Sequence, residues 1–451
     1  MKLRLKSGKI NTIGKLYIFW IGGSTMSKDL HIEFKNRKIK KTNKFVGSIV
    51  YVVFRIICKC RNVHFEYDEE FKELKKKQVI VFCQHKSSND YIYAFGGLNR
   101  LDIHILVGYL NIFQKGVYHI LKSLGVIGKM LYQPDMKSVV QILQAIRLGE
   151  SVAIFPEGIQ STSGSSHPIN PGTMSLLMKC KLPVVLAKIE GSYFAKPRYT
   201  RDIRKGRITV KYSKLFDSDD FNTYSEEVLY KRLFDSFKYN EFDEHEDNKV
   251  AFKGKKPNVY GLDNIIYKCP HCENEFCFST EGDEMTCASC GFRVSMDEYC
   301  DIHSVNKELP FKNIDEWYKW QRRVVSSEVE SPDFSMSARV ELRKVNTKKL
   351  GKNYSLIHDG EGILTINNQG VIYKGTRDGE DVCLVFNAKN VYSLTFSLSQ
   401  DLDLYYLNKY YNFNFLEDGK RVVKWMLAAE EIHNMYDVDW KTASEQVYDY
   451  A

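Results

Sequence analysis

Between residues 79 and about 216, short apolar runs alternate with segments whose apolar positions recur every three to four residues, the pattern of a layered α/β domain. Residues 79–83, Val-Ile-Val-Phe-Cys, read as a buried strand, and 103–107, 152–155, 184–189 and the alternating 208–212 complete the set of strands. Helices are expected over 91–98, 112–122, 138–148 (stopped by Gly149) and shortly after residue 167. Ser87, Ser88 and Asn89 offer N-cap chemistry at the start of the first of them. The polar stretch 160–167 reads as a mobile loop. Residues 217–260 are acidic and then polar, the texture of a helical extension and linker. From about 310 the pattern changes to an aromatic helix at 317–323 and then strand-like runs. Turn signals at Asp359-Gly360, Asn368-Gln369-Gly370, Asp378-Gly379 and Asp418-Gly419 separate those runs, so a small antiparallel barrel or sandwich is predicted. A helix over 420–436 closes it, with Val423, Trp425, Met426, Ala429 and Ile432 as its buried stripe.

At 451 residues the chain exceeds one compact core. The pattern divides it into a basic segment (1–61), an α/β domain (62–216), the extension (217–260), a cysteine-rich module (261–305) and a β-rich domain with its closing helix (310–451). Charge sharpens the first boundary: residues 1–61 carry +13, the rest −4, for a net +9. The apolar run 45–58 is too short to span a bilayer. Flanked by Lys38, Lys40, Lys41, Lys44, Lys59 and Arg61, it reads as an interfacial helix on an anionic membrane surface, or as a core helix covering the sheet. The run 16–21 after a basic stretch has no cleavage site of the secretory kind, and Met26 is an alternative start.

Eleven cysteines, four of them in two C-x-x-C pairs, argue for metal ligation in a reducing compartment rather than for disulfides. Cys269, Cys272, Cys287 and Cys290 have the spacing of a zinc ribbon with a structural Zn2+; an iron–sulfur site and a redox pair are the alternatives. Cys277, Cys300 and His271 are left over. Glu273, Glu275, Glu281, Asp283 and Glu284 make the module acidic, which disfavours nucleic acid as its partner.

The other chemical signal is His85-Lys86-Ser87-Ser88-Asn89-Asp90, an H-x4-D motif at the end of the first strand. Five residues along a helix are ~500° of rotation, so the two side chains would diverge if both were helical. They meet if His85 stays in the strand-to-helix turn and Asp90 opens the helix. Asp90 then fixes the imidazole tautomer, and His85 is a general base for an alcohol. Further on stand Leu124-Gly125-Val126-Ile127-Gly128-Lys129, Phe155-Pro156-Glu157-Gly158-Ile159-Gln160-Ser161 and Leu182-Pro183-Val184-Val185-Leu186. In this order and spacing, these blocks resemble the glycerolipid acyltransferase family that includes 1-acylglycerol-3-phosphate acyltransferases, over residues 75 to 215.

The resemblance implies transfer of an acyl group from acyl-CoA or acyl carrier protein to lysophosphatidate, making phosphatidate, by a protein peripheral to the cytoplasmic face of a membrane. His85 and Asp90 would be its catalytic pair. Glu157, Gly158 and Ser161 would shape the acceptor site, with Lys129 beside them. Two departures stand out. The family commonly has Arg where this chain has Lys129 and Gln160, which leaves other lysophospholipids and glycerol phosphate open as acceptors, with Lys196 and Arg198 as alternative cations. The C-terminal region resembles a pleckstrin-homology-like barrel, which implies lipid or protein docking. A non-catalytic scaffold or nucleic-acid protein on the same fold is the competing reading.

Overall fold

A computed structural model describes residues 37–436 except 115, 134, 171, 247, 248, 347–354 and 408. The run 16–21 and Met26 therefore lie outside the described residues. The first layer is a seven-stranded sheet made of β1 (Val63–Tyr67), β2 (Ile80–Cys83), β3 (Ile103–Gly108), β4 (Ile127–Lys129), β5 (Ser151–Ile154), β6 (Val184–Glu190) and β7 (Ile208–Phe216). Its order is β1-β7-β6-β2-β5-β3-β4. β2 runs parallel to both neighbours, β5 and β6, and only the β6–β7 pair is antiparallel. All four residues of β2 and of β5 are buried, as expected of central parallel strands covered on both faces. The turns that leave the carboxyl ends of β2 and β5 therefore emerge side by side, where ligands bind in open α/β sheets.

Helices α1 (Lys44–Cys60), α2 (Glu69–Leu74), α3 (Asp90–Leu98), α4 (Tyr118–Ser123), α5 (Met136–Arg147) and α6 (Gly172–Cys180) flank this sheet. The helix expected over 112–122 is broken into a 3-10 turn, Tyr109–Phe113, and α4. The break falls where Gly116 takes φ of 77°, a left-handed conformation that no helix carries through. Beyond the sheet, α7 (Glu226–Phe237) and α8 (Glu241–Glu246) supply the helical extension.

The cysteine-rich module is a four-stranded antiparallel ribbon of β8 (Phe278–Glu281), β9 (Glu284–Cys287), β10 (Arg293–Met296) and β11 (Ile302–Ser304). It leads into α9 (Ile314–Val329), whose Asn313 cap accepts from the Glu316 amide at 3.0 Å. The last layer is one antiparallel sheet of β12 (Ser335–Val345), β13 (Leu356–Asn367), β14 (Gly370–Arg377), β15 (Glu380–Asn387), β16 (Thr395–Ser397), β17 (Asp401–Tyr406) and β18 (Lys409–Phe415). Its order is β15-β14-β13-β12-β18-β17-β16.

The closing helix α10 (Val422–Asn434) departs from the expected single stripe, because every one of its residues is buried. Its polar positions have partners on other elements. Arg322 of α9 reaches Glu430 and Glu431, and Lys424 reaches Glu275 and Glu328. Each large apolar side chain buried there, Trp425 and Ile432 among them, contributes ~1.5–3 kcal/mol. One continuous core runs from Val81 and Tyr93 through Trp317 to Trp425, so the regions separated by sequence texture fold onto one another.

Candidate active site

The turn after β2 is built to present one side chain. Gln84 is buried and accepts the Ile189 amide at 3.1 Å, so the chain stays strand-like to its last residue. Asp90, the first residue of α3, is fully buried and accepts the Ser87 amide at 2.6 Å. The helix start is thus capped by Asp90 turning back, while Asn89 at the expected cap position makes no side-chain cap bond. The same Asp90 oxygen lies 3.5 Å from His85 Nδ1. The His85 side chain is 27% exposed and leans on the Phe155 ring, 4.9 Å between centroids. With Nδ1–H directed at the carboxylate, Nε2 is the nitrogen free to take a proton. A long hydrogen bond of this kind is common before substrate binds.

Beside it, Lys86 points inward and is fully buried. Its ammonium meets Glu241 at 2.5 Å and Glu244 at 3.2 Å and sits 4.0 Å from the centre of the Tyr239 ring. Burial alone would lower Lys86, but the two carboxylates hold it above the usual lysine range. Burial pushes Glu241 up to about 7 against the pull of Lys86. For Glu244 burial is outweighed by Lys86 and Lys188, which hold it below the usual range. Sequence pattern did not single out Lys86, Tyr239, Glu241 or Glu244; the one trace was an acidic cluster in a segment read as a linker.

The turn after β5 is made differently. Glu157 is buried, and its two oxygens accept from the His85 amide at 2.9 Å, the His167 amide at 3.1 Å and the Tyr239 hydroxyl at 3.2 Å. Burial pushes its carboxyl up, opposed by the amides of His85 and His167. Gly158 follows with φ of 71°, where a side chain would be strained. The Ser161 amide donates to the His85 carbonyl at 2.8 Å, while its hydroxyl donates to Ser165 O at 2.7 Å and accepts from the Gly164 amide at 3.0 Å. The stretch read as mobile is buried from Ser161 to His167. It is clamped by Asp315 of α9, which accepts from Ser163 at 2.5 Å and Ser165 at 2.6 Å. Glu157 and Ser161 thus sit at the site but turn their side chains to the protein's own backbone. Lys129 stands on a different strand. It ends β4, three strand spacings (~14 Å) from β2, and donates to the Gln133 carbonyl at 3.0 Å.

Residues 62–189, which hold both turns, match the family model described as Acyltransferase. These residues form a domain similar to the acyltransferase family. A protein named 1-acyl-sn-glycerol-3-phosphate acyltransferase from Cocos nucifera is 24% identical over 156 residues, 34% of this chain and 50% of the relative. One of the same name from Limnanthes douglasii is 32% identical over 87 residues, 19% of this chain and 30% of the relative. The chain thus spans half or less of these relatives. Among solved structures, the 1-acyl-sn-glycerophosphate acyltransferase PlsC from Thermotoga maritima aligns with a TM-score of 0.37 and 18% identity, covering 46% of this chain and 81% of that one.

Outside the acyltransferase domain, the sulfurs of Cys269, Cys272, Cys287 and Cys290 all lie within 4.8 Å of one another. Cys269–Cys290 and Cys272–Cys287 are each 3.7 Å apart. A tetrahedron with ~2.3 Å zinc–sulfur arms has edges of ~3.8 Å, so the four thiols fit that ion. Of the remaining candidates, Cys277 lies 3.3 Å from Cys287, His271 bonds the Glu308 carbonyl at 2.8 Å, and Cys300 is buried 3.6 Å from Arg204.

Proposed function

We propose that the protein moves an acyl group from an acyl-CoA or acyl carrier protein thioester to the free hydroxyl of lysophosphatidate, at the surface of a membrane. The observation that carries this reading is the buried Asp90 carboxylate behind a partly exposed His85. Nε2 of His85 removes the acceptor's hydroxyl proton as the oxygen attacks the thioester carbonyl. The carbon–sulfur bond then breaks, and the imidazolium returns its proton to the departing thiolate. Asp90 stabilises the imidazolium between these steps and holds the tautomer. Relatives that carry the name 1-acyl-sn-glycerol-3-phosphate acyltransferase support lysophosphatidate as the acceptor.

Helix α1 supports the membrane setting. Phe45, Ile49, Val52 and Ile56, spaced four, three and four residues apart, form a single exposed stripe. The Phe54 ring of α1 meets exposed Tyr91 of α3, one residue from Asp90, at 5.8 Å. An apolar surface thus borders the helix that carries the catalytic carboxylate, on the side from which acyl chains would arrive. No helix among the described residues is long and apolar enough to cross a membrane; the proposed contact is peripheral or monotopic, and we place it on the cytoplasmic face as part of this proposal.

Cys269, Cys272, Cys287 and Cys290 would hold one Zn2+ with no open position, a fold-stabilising ion remote from the reaction. Metal analysis should return about one zinc per chain; a much lower content removes the ion from this reading. The decisive assay is acyl transfer by purified full chain, with both donor types and a panel of lysophospholipid acceptors. Transfer to lysophosphatidate that His85→Ala abolishes is expected. Undiminished transfer by that variant would overturn the mechanism.

A further inference from the structure

The family's two phosphate-reading arginines are absent at Lys129 and Gln160, yet a guanidinium from elsewhere arrives at the same loop. Arg198, in the segment after β6, donates from Nη1 to the Gln160 carbonyl at 3.0 Å. Gln160 is followed directly by Ser161, whose amide bonds the His85 carbonyl at 2.8 Å. Arg198 is therefore tied to the backbone that holds the catalytic turn. Its other arm reaches the Phe396 carbonyl of β16 at 3.4 Å, and its guanidinium lies 4.1 Å from the Phe396 ring centre.

What this guanidinium lacks is an anion. It has no carboxylate within ion-pairing distance among the described residues, and two of its five N–H donors go to carbonyls. The acidic groups around it are occupied. Glu430, the carboxylate that acts on Arg198, holds Arg322 and accepts from Ser393 at 2.6 Å, and Asp403, which acts on Tyr132, accepts from Tyr410 at 2.5 Å and Asn412 at 2.8 Å. Burial lowers the Arg198 pKa, with Tyr132 foremost among the groups that oppose it, as expected of a cation desolvated without a counter-charge.

Tyr132 is the second observation. Its hydroxyl is buried with no hydrogen-bond partner among the described residues. Its backbone takes φ of 53°, a left-handed conformation costly for an aromatic residue and typical of positions held for a function. Tyr132 is near enough to act on the Arg198 charge, and an orphaned buried hydroxyl together with a guanidinium that has no carboxylate partner among the described residues is a donor set suited to an anion. Glu157 and Ser161, by contrast, are already bonded within the protein.

We propose that Arg198 and Tyr132 read the phosphate of the acceptor, and that β16, by seating Arg198 on Phe396, makes the C-terminal sheet a wall of the active site. The cation that the family carries inside its sequence blocks is here supplied from outside them and fixed by a strand nearly two hundred residues away. This rests on the acyl-transfer reading of the site.

The test compares two acceptors on the full chain, lysophosphatidate and the monoacylglycerol that lacks only its phosphate. Losing one or two charge-assisted hydrogen bonds in Arg198→Ala should lower the ratio of kcat/KM for the two acceptors about 10- to 100-fold. Tyr132→Phe, which keeps the packing, should lower it about 3- to 10-fold, the scale of one neutral hydrogen bond. Adding Gln160→Arg to Arg198→Ala should recover part of the ratio. A purely structural role would depress both acceptors alike, and an unchanged ratio in both single variants overturns the proposal. Calorimetric titration with short-chain lysophosphatidate separates the two readings. Transfer with an Arg198-independent KM removes this proposal and leaves the chemistry. Arg198-dependent binding without any transfer removes the chemistry and leaves the site. Neither binding nor transfer of lysophosphatidate by the unmodified chain removes both.

Discussion

The turns after β2 and β5 leave neighbouring parallel strands at the same sheet edge, yet they are built in opposite ways. The first is short and offers one side chain outward, His85, with Asp90 buried behind it. The second is long, polar and buried, and its acidic and hydroxyl groups bond the protein's own amides and carbonyls. The contrast separates two kinds of motif residue. In the first turn the motif names one side chain open to the outside and the carboxylate behind it; in the second it names groups that hold the first turn in place. Glu157 is the joint between them, since one oxygen accepts the His85 amide and the other the His167 amide.

The strongest way to break this comparison is to remove one side chain from each turn. His85→Ala should cost about 10²–10⁴-fold in transfer, the range of a general base, while leaving thermal stability nearly unchanged because the ring is partly exposed. Glu157→Gln should behave in reverse. Its amide nitrogen replaces an acceptor, so a buried backbone N–H at His85 or His167 loses its partner, at about 1–3 kcal/mol. Paired denaturation and rate measurements check this. If Glu157→Gln unfolds at the same denaturant midpoint as the unmodified chain but loses all transfer, Glu157 belongs with the substrate-facing groups.

A second probe concerns the clamp under the first turn. Lys86→Met leaves Glu241 in the interior without its cation, while Glu244 keeps Lys188 at 2.6 Å, and breaking a buried ion pair this way costs about 3–5 kcal/mol. Glu241 also gives the fold a pH dependence of definite sign. Its folded value is raised to about 7, so between the usual carboxylate range and that value the folded chain keeps a proton the unfolded chain has lost. Stability from this group is complete below the unfolded value and is lost as pH rises through about 7. Urea midpoints at pH 5 and pH 8 should show this decline, and Glu241→Gln should flatten it. A variant with the same slope as the unmodified chain would assign the decline to other groups.

Much of this was legible locally. Continuous apolar runs announced β2, β5 and β6, and the step of five residues in H-x4-D required the turn-then-helix geometry that His85 and Asp90 adopt. β1 escaped notice because an edge strand with alternating burial offers no apolar run, and β4 because it is three residues long. The larger misreading was of polarity. Residues 160–167 look like solvated loop, but Ser163 and Ser165 meet Asp315, 152 and 150 residues away. The same applies to α10, whose Lys424, Glu430 and Glu431 look solvent-facing until Glu275, Glu328 and Arg322 come to them. Apolar periodicity is written along the chain, whereas the partner of a buried polar group is fixed only when distant elements meet. For that reason the motif disclosed which residues stand at the site, but not that Glu157 and Ser161 bond backbone there.

The mildest change sharpens the comparison at its outer edge, where substrates would enter past the first turn. Replacing Phe45, Ile49, Val52 and Ile56 together with Gln touches an exposed stripe, so the denaturation midpoint should move little, each surface change lying within about 0.5 kcal/mol. Sedimentation with anionic vesicles should nevertheless fall, because the stripe supplies the apolar area of α1 while Lys38, Lys40, Lys41 and Lys44 still supply charge. A short-chain acceptor presented in solution should then be used as well as before, and a long-chain acceptor in vesicles less well. If both acceptors lose equally, the stripe acts on the first turn through α3 and not on the membrane. If neither changes and vesicle binding persists, the anchor lies elsewhere in the chain.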